Sequence, residues 1–169
     1  MPKAIRSPKK FHTSAKMRRP RARSLVSRAL ARTGTIGFET LVAHPTPAAT
    51  KIELIRRGVT ARVVDDMVRF FEVPKQVIFG VLHTPESTAH RLIKEDRALD
   101  SGASERVVRV ADIAHAAEET FGSREVATRW LKTANRGLAG ATPLSMVDTE
   151  PGAAEVRRLL ASINYGGVF

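Results

Sequence analysis

An apolar stripe with the period of an α-helix recurs along most of this chain, and no stretch alternates convincingly with the period of a strand. Val156, Leu159, Leu160 and Ile163 fall at i, i+3, i+4 and i+7, the spacing that lines one side of a helix. Val63, Val64, Met67, Val68, Phe70 and Phe71 make a broader face over 61–71. Val77, Ile78, Val81 and Leu82 do the same over 75–82, as do Ala89, Leu92 and Ile93 over 85–95. The longest pattern, 105–121, carries Val107, Val110, Ala111, Ala114, Ala117 and Phe121; the next, 124–133, carries Val126, Ala127, Trp130 and Leu131. Gly58 closes a short helix at 51–57, Val73-Pro74 breaks the second pattern, and Gly122 ends the longest. Thr60, Thr84, Ser104, Ser123 and Thr149 stand where N-caps are needed, their side-chain oxygens available to amides of the first turn. Pro85 takes the favoured first helical position. Residues 36–43 (IGFETLVA) are a short apolar segment, helix or strand, and 44–50 (HPTPAAT) a linker. The expected fold is all-α.

Charge divides the chain unevenly. Residues 1–38 hold 11 of the 28 Lys and Arg and no acid. The remainder carries 17 bases against 17 acids, so the entire excess of +11 lies in an N-terminal arm. Its composition, rich in Lys, Arg, Ser and Pro, predicts disorder. A phosphate-binding arm, a solvated tail, a start misplaced from Met17 to Met1, and an organellar leader all fit it. Three segments are expected: the disordered arm at 1–35, a helical domain at 36–100, and a second at 101–169. There is no cysteine, which fits a reducing cytosol. No apolar run approaches the ~18–20 residues of a bilayer span.

Catalytic chemistry finds no support. His12, His44, His83, His90 and His115 include no i, i+4 pair and no metalloprotease pattern. Asp65-Asp66 and Glu118-Glu119 are helix neighbours that point apart. No metal, cofactor or catalytic residue is expected. Trp130, the single tryptophan, reads as core first and as an interface anchor second.

The segment 75–95 has the grammar of a helix-turn-helix: a short helix, a turn at His83, and a second helix with a polar outer face. Thr84, Ser87, Thr88, His90, Arg91 and Lys94 are the candidate DNA contacts. Arg91 can reach guanine O6 and N7, or a phosphate; Ser87, Thr88 and Lys94 can reach bases or phosphates. The same pattern also fits two helices packed in any small α protein.

From Ser104 onward the residues support a sharper reading. Ser104 to Arg106, Phe121-Gly122, Trp130-Leu131, Asn135 to Leu144, Gly152 to Val156 and Tyr165-Gly166 occur in order over about 66 residues. This half resembles the toxin-binding domain of the Xre/MbcA/ParS antitoxins, and 50–100 is similar to their Xre-like helix-turn-helix. The stretch from Thr84 to Arg91 sits where that family reads Ser-x-x-Thr-x-x-Arg. His83 departs from it, standing where the turn often has Gly. The basic arm has no counterpart.

The resemblance implies a non-enzymatic antitoxin of a type II system. Its partner would be a RES-type toxin that consumes NAD or transfers from it, and its helix-turn-helix would bind operator DNA at its own promoter, often as a homodimer or in complex with toxin. It also implies that the extreme C-terminus obstructs the toxin's NAD pocket. The residues that could do so here are Asn164, Tyr165, Gly166, Gly167, Val168 and Phe169, with Arg157 and Arg158 facing toxin acids. Two glycines allow close backbone approach; Tyr165 and Phe169 are apolar anchors. A cytoplasmic location follows from that role. An orphan transcriptional regulator without a toxin is the alternative, and an architectural DNA-binding protein using the arm a further one.

Overall fold

The computed structural model describes residues 36–166. The arm at 1–35 and the tail residues Gly167, Val168 and Phe169 lie outside the described residues. The fold is all-α. Its helices are α1 (Phe38–Ala43), α2 (Ala48–Arg57), α3 (Val63–Phe71), α4 (Lys75–Leu82), α5 (Glu86–Lys94), α6 (Ser101–Phe121), α7 (Arg124–Lys132), α8 (Pro143–Met146) and α9 (Glu150–Asn164), with a 3-10 turn at Arg136–Leu138 between α7 and α8. None is long and apolar enough to cross a membrane among the described residues.

Helix α6 is the axis of the molecule. Its 21 residues span about 30 Å, and it packs against α1, α2 and α4 on one side of the sequence and α7 and α9 on the other. Val107, Val108, Val110, Ala111, Ile113, Ala114 and Ala117 are all buried. Small residues on α6 let the flanking helices approach closely, so one apolar core runs from Ile36 to Leu160. The short segment 36–43 is a helix that belongs to this core. Phe38 is fully buried, its ring centroid 5.1 Å from that of Phe70 in the edge-on geometry that aromatic quadrupoles favour and 5.5 Å from that of Phe71 in a tilted one.

Several helix boundaries differ from the sequence expectation. The segment 44–50 is not all linker, because α2 begins at Ala48. Thr60 caps nothing; a turn precedes α3, which starts at Val63 without a side-chain cap. Thr60 instead forms an antiparallel bridge with Ala98, flanked by Ala61 N–H to Arg97 O (2.9 Å) and Leu99 N–H to Val59 O (2.8 Å). Helix α6 begins four residues early, at Ser101, and its cap is Asp100, whose carboxylate accepts from the Ala103 amide at 2.8 Å. Ser104 is therefore inside the helix and fully buried, where its Oγ accepts from the Val59 amide at 2.9 Å. It links α6 to the bridge, which local pattern had no means of signalling. Ser123 and Thr149 do cap α7 and α9, and Thr142, which the pattern did not single out, caps α8.

Candidate functional site

Helices α4 and α5 form the expected two-helix unit. His83 closes α4 in the left-handed conformation, φ 52° and ψ 37°, and its amide and that of Thr84 bond back to Gly80 O and Phe79 O. Helix α5 starts at Glu86 with Pro85 in the cap position, one residue later than expected. Thr84 is not its cap and is not on the surface. It is buried, and its hydroxyl is 3.4 Å from Leu82 O, so it can hold the turn but cannot reach a duplex.

The remaining candidate DNA contacts share the outer side of α5. Only Ala89 of this helix is fully buried; Ser87, His90, Arg91 and Lys94 are exposed and Thr88 is half-buried. The face is not simply basic. Arg91 Nη1 lies 3.4 Å from Glu95 Oε2, and His90 Nε2 lies 3.4 Å from Glu86 Oε1. Acids at both ends of the helix thus offset Arg91 and Lys94. Such a face can read base edges but adds little general attraction to phosphates.

The C-terminal candidates line α9 and its exit. The helix starts at the Thr149 cap, with its hydroxyl 3.3 Å from the Gly152 amide. Glu150 in the first turn accepts from Arg157 at 2.8 Å and lies 3.3 Å from Arg109. The hydrogen bond from Arg157 holds the Glu150 carboxyl below its ordinary value; partial burial opposes this, and the charges of Arg157 and Arg109 add to it. Arg158 is paired with Glu155 at 2.6 Å. Both arginines are exposed to solvent, available to a partner at the cost of exchanging an intramolecular acid. Among the described residues Asn164 is the last side-chain anchor to the body, its amide donating to Thr120 Oγ1 at 3.1 Å. Immediately beyond, Tyr165 is 91% exposed and Gly166 turns with φ 74°. Trp130 is half-buried against Phe121, centroids 5.4 Å apart, on the edge of the core.

Two features of this region escaped the sequence. Arg106 and Arg109, one helical turn apart on α6, both donate to the backbone of the α8–α9 turn. Arg106 Nε reaches Asp148 O at 3.2 Å, and Arg109 Nη1 reaches Val147 O at 3.2 Å and Asp148 O at 3.0 Å. Elsewhere, a cleft of about 540 Å³ opens between α1, α3 and α7, lined by Phe70, Arg124, Arg129, Lys132 and three glutamates. Three of its cations are paired within it, Arg124 with Glu39, Arg129 with Glu125 and Lys132 with Glu72; Arg69, which also lines it, pairs with Asp66, and Arg124 lies 5.0 Å over the Phe70 ring. The contacts of Arg124 and Lys132 brace α7 against α1 and the end of α3. Among the described residues no group of His, Asp and Glu could hold a metal ion.

A two-helix unit with an exposed polar face and a helical half that exposes Tyr165 directly after its last helix, joined through one shared helix, make a two-part all-α protein. Residues 51–112 match the Antitoxin Xre-like helix-turn-helix domain, and residues 116–166 match the Antitoxin Xre/MbcA/ParS C-terminal toxin-binding domain. The chain belongs to the Xre/MbcA/ParS antitoxin family and carries both domains of a type II antitoxin. It is 27% identical to the Antitoxin Xre of Yersinia enterocolitica serotype O:8 / biotype 1B, over 73% of this chain and 95% of that one. It is 28% identical to the Prs ADP-ribosylating antitoxin of Sphingobium sp. strain YBL2, over 79% and 89% respectively. Over a shorter stretch, 36% of this chain and 40% of its relative, it is 44% identical to the Antitoxin Xre of Photorhabdus laumondii.

Proposed function

We propose that this antitoxin binds and blocks a RES-type toxin that consumes NAD or transfers ADP-ribose from it, and that it represses its own promoter. The observation that carries the first half is the end of α9: among the described residues the last side-chain contact with the body is Asn164 on Thr120, and Tyr165 projects into solvent directly after it. An apolar ring left this exposed has no role in the fold, and aromatic anchors of this kind dominate binding energy when a partner pocket receives them. Asn164, Tyr165, Gly166, Gly167, Val168 and Phe169 form the inserted tail. The glycines permit its backbone to pass close to pocket walls, and Arg157 and Arg158 pair with acids on the toxin. The name of the Sphingobium relative supports an NAD-dependent transferase as the target. The antitoxin acts by occupancy in the cytoplasm and needs no catalytic group.

For the second half, Ser87, Thr88, His90, Arg91 and Lys94 on α5 contact operator DNA, and the 11 cations of residues 1–38 supply the phosphate affinity that the mixed charge of α5 lacks. The segments are then an arm at 1–35, a reading domain at 36–100 and a toxin-binding domain at 101–169, acting as a homodimer on a two-fold operator.

Co-expression with the product of the adjacent gene tests the toxin reading, with growth and cellular NAD as readouts. A chain ending at Ile163 is expected to keep its melting temperature within a few degrees and to lose protection. Full protection by that shortened chain refutes the tail mechanism. Stable NAD levels together with no newly ADP-ribosylated protein when the partner is expressed alone refute the assigned toxin class.

A further inference from the structure

His83 breaks a local rule. A left-handed helix C-cap is a position where glycine carries no steric penalty and a side chain does. Such strain persists where something nearby compensates for it. The compensation is visible across the sequence: His83 Nε2 donates to the Asp148 carboxylate at 3.1 Å, and Asp148 lies in the α8–α9 turn, 65 residues away. Arg106 completes the junction. Its Nε donates to Asp148 O at 3.2 Å and its Nη1 to Leu82 O at 3.4 Å, so one guanidinium holds the end of α4 and the start of α9 together. No other element of the toxin-binding half touches the α4–α5 turn with a polar contact as close as that of Asp148 among the described residues.

We propose that Asp148 is a positioning residue for the reading helix: through His83, and beside Arg106, it fixes the α4–α5 turn against the turn that begins α9. The side chain at position 83 is there to make this tie, which a glycine could not. The orientation of α5 is thereby set from the toxin-binding half, and the consequence for DNA rests on the operator-binding reading proposed above. Both partners of the tie are partly exposed, at 46% and 32%, which places its worth in the range of solvent-screened ion pairs and predicts effects of about two- to five-fold.

The test is a double-substitution cycle on the full chain with His83→Asn, Asp148→Ala and the pair together. Asparagine tolerates the left-handed conformation but is too short to reach Asp148. Amide hydrogen exchange at residues 84–91 is expected to quicken about two- to five-fold in each single variant and no further in the double, with exchange at 107–114 in α6 unchanged. Unchanged exchange at 84–91 in the single variants overturns the proposal. So does multiplication of the two effects in the double variant, or acceleration spread through α6. A second measurement uses a duplex from immediately upstream of the chain's own reading frame and an unrelated duplex of equal length. Asp148→Ala is expected to weaken the first more than the second. Equal wild-type affinity for both duplexes defeats the operator reading and leaves the exchange result to decide the tie.

Discussion

Replacing Gly152 by alanine places a methyl group where the structure has a carbonyl. Gly152 is buried in the first turn of α9, and a Cβ built there lies 1.9 Å from Met146 O and 2.9 Å from Met146 C, with Thr149 Oγ1 at 3.1 Å. Cβ atoms essentially never approach another atom within 3.0 Å, so α9 must retreat from the end of α8 by about 1 Å or more. Both atoms struck belong to backbone, which no rotamer change can clear. Overpacking of this kind costs about 1–3 kcal/mol. The retreat also loosens the Thr149 cap, worth about 1 kcal/mol, while the helix propensity of alanine returns up to about 1 kcal/mol. A net loss of about 1–3 kcal/mol corresponds to a fall in Tm of about 2–12 °C for a chain of this size. The assay is thermal unfolding followed by circular dichroism, with Gly80→Ala as control. Gly80 is exposed on α4 with nothing within 4 Å of a new Cβ, so there alanine is expected to raise Tm by about 1–4 °C. An unchanged or higher Tm in Gly152→Ala refutes the close approach of α8 and α9.

Three further outcomes are expected. Ser104→Ala leaves the buried Val59 amide without its acceptor, costing about 1–3 kcal/mol and speeding hydrogen exchange at that amide; an unperturbed Val59 amide would contradict the linking role. Phe38→Ala empties a site enclosed by Phe70 and Phe71 and is expected to cost about 3–5 kcal/mol in a urea titration. A loss below about 1 kcal/mol would detach α1 from the core, against the typical cost of such a deletion. Glu150→Gln tests the charge at the start of α9. Because the folded carboxyl titrates below its ordinary value of 4.5, it stabilises the fold at neutral pH, and that contribution disappears as pH falls through the folded value. Wild type is expected to be more stable than the variant at pH 7, with the gap closing in acid. A gap that persists at pH 2 would mean a shape effect rather than a charge effect.

The toxin-binding half could be read from the chain in some detail because its signals are local. A 3.6-residue apolar stripe, a serine or threonine before it and a glycine after it are all decided within one or two turns, so α7 and α9 appear with their caps, and Gly122 ends α6 with φ 67°. The family motifs have the same character: Gly152 is spelled in the chain, although the reason for it, the carbonyl of Met146, is not. What local pattern could not supply were positions whose role depends on a distant partner. Ser104 looks like a cap until Val59, 45 residues away, claims its oxygen. Thr84 looks like a surface contact until the turn folds it inward.

The exit of the chain from α9 was determined by the sequence alone, since an apolar stripe ending at Ile163 and followed by Asn-Tyr-Gly leaves the aromatic ring with no helix face to join. Tertiary structure decided how the two halves are coupled. His83 stands out in the sequence only as a departure from the turn glycine and Arg106 only as part of a motif; nothing there links either to Asp148, and only packing on α6 brings them within hydrogen-bond reach. A left-handed histidine is a cost in the local energy of the turn and becomes comprehensible once Asp148 stands 3.1 Å from its ring.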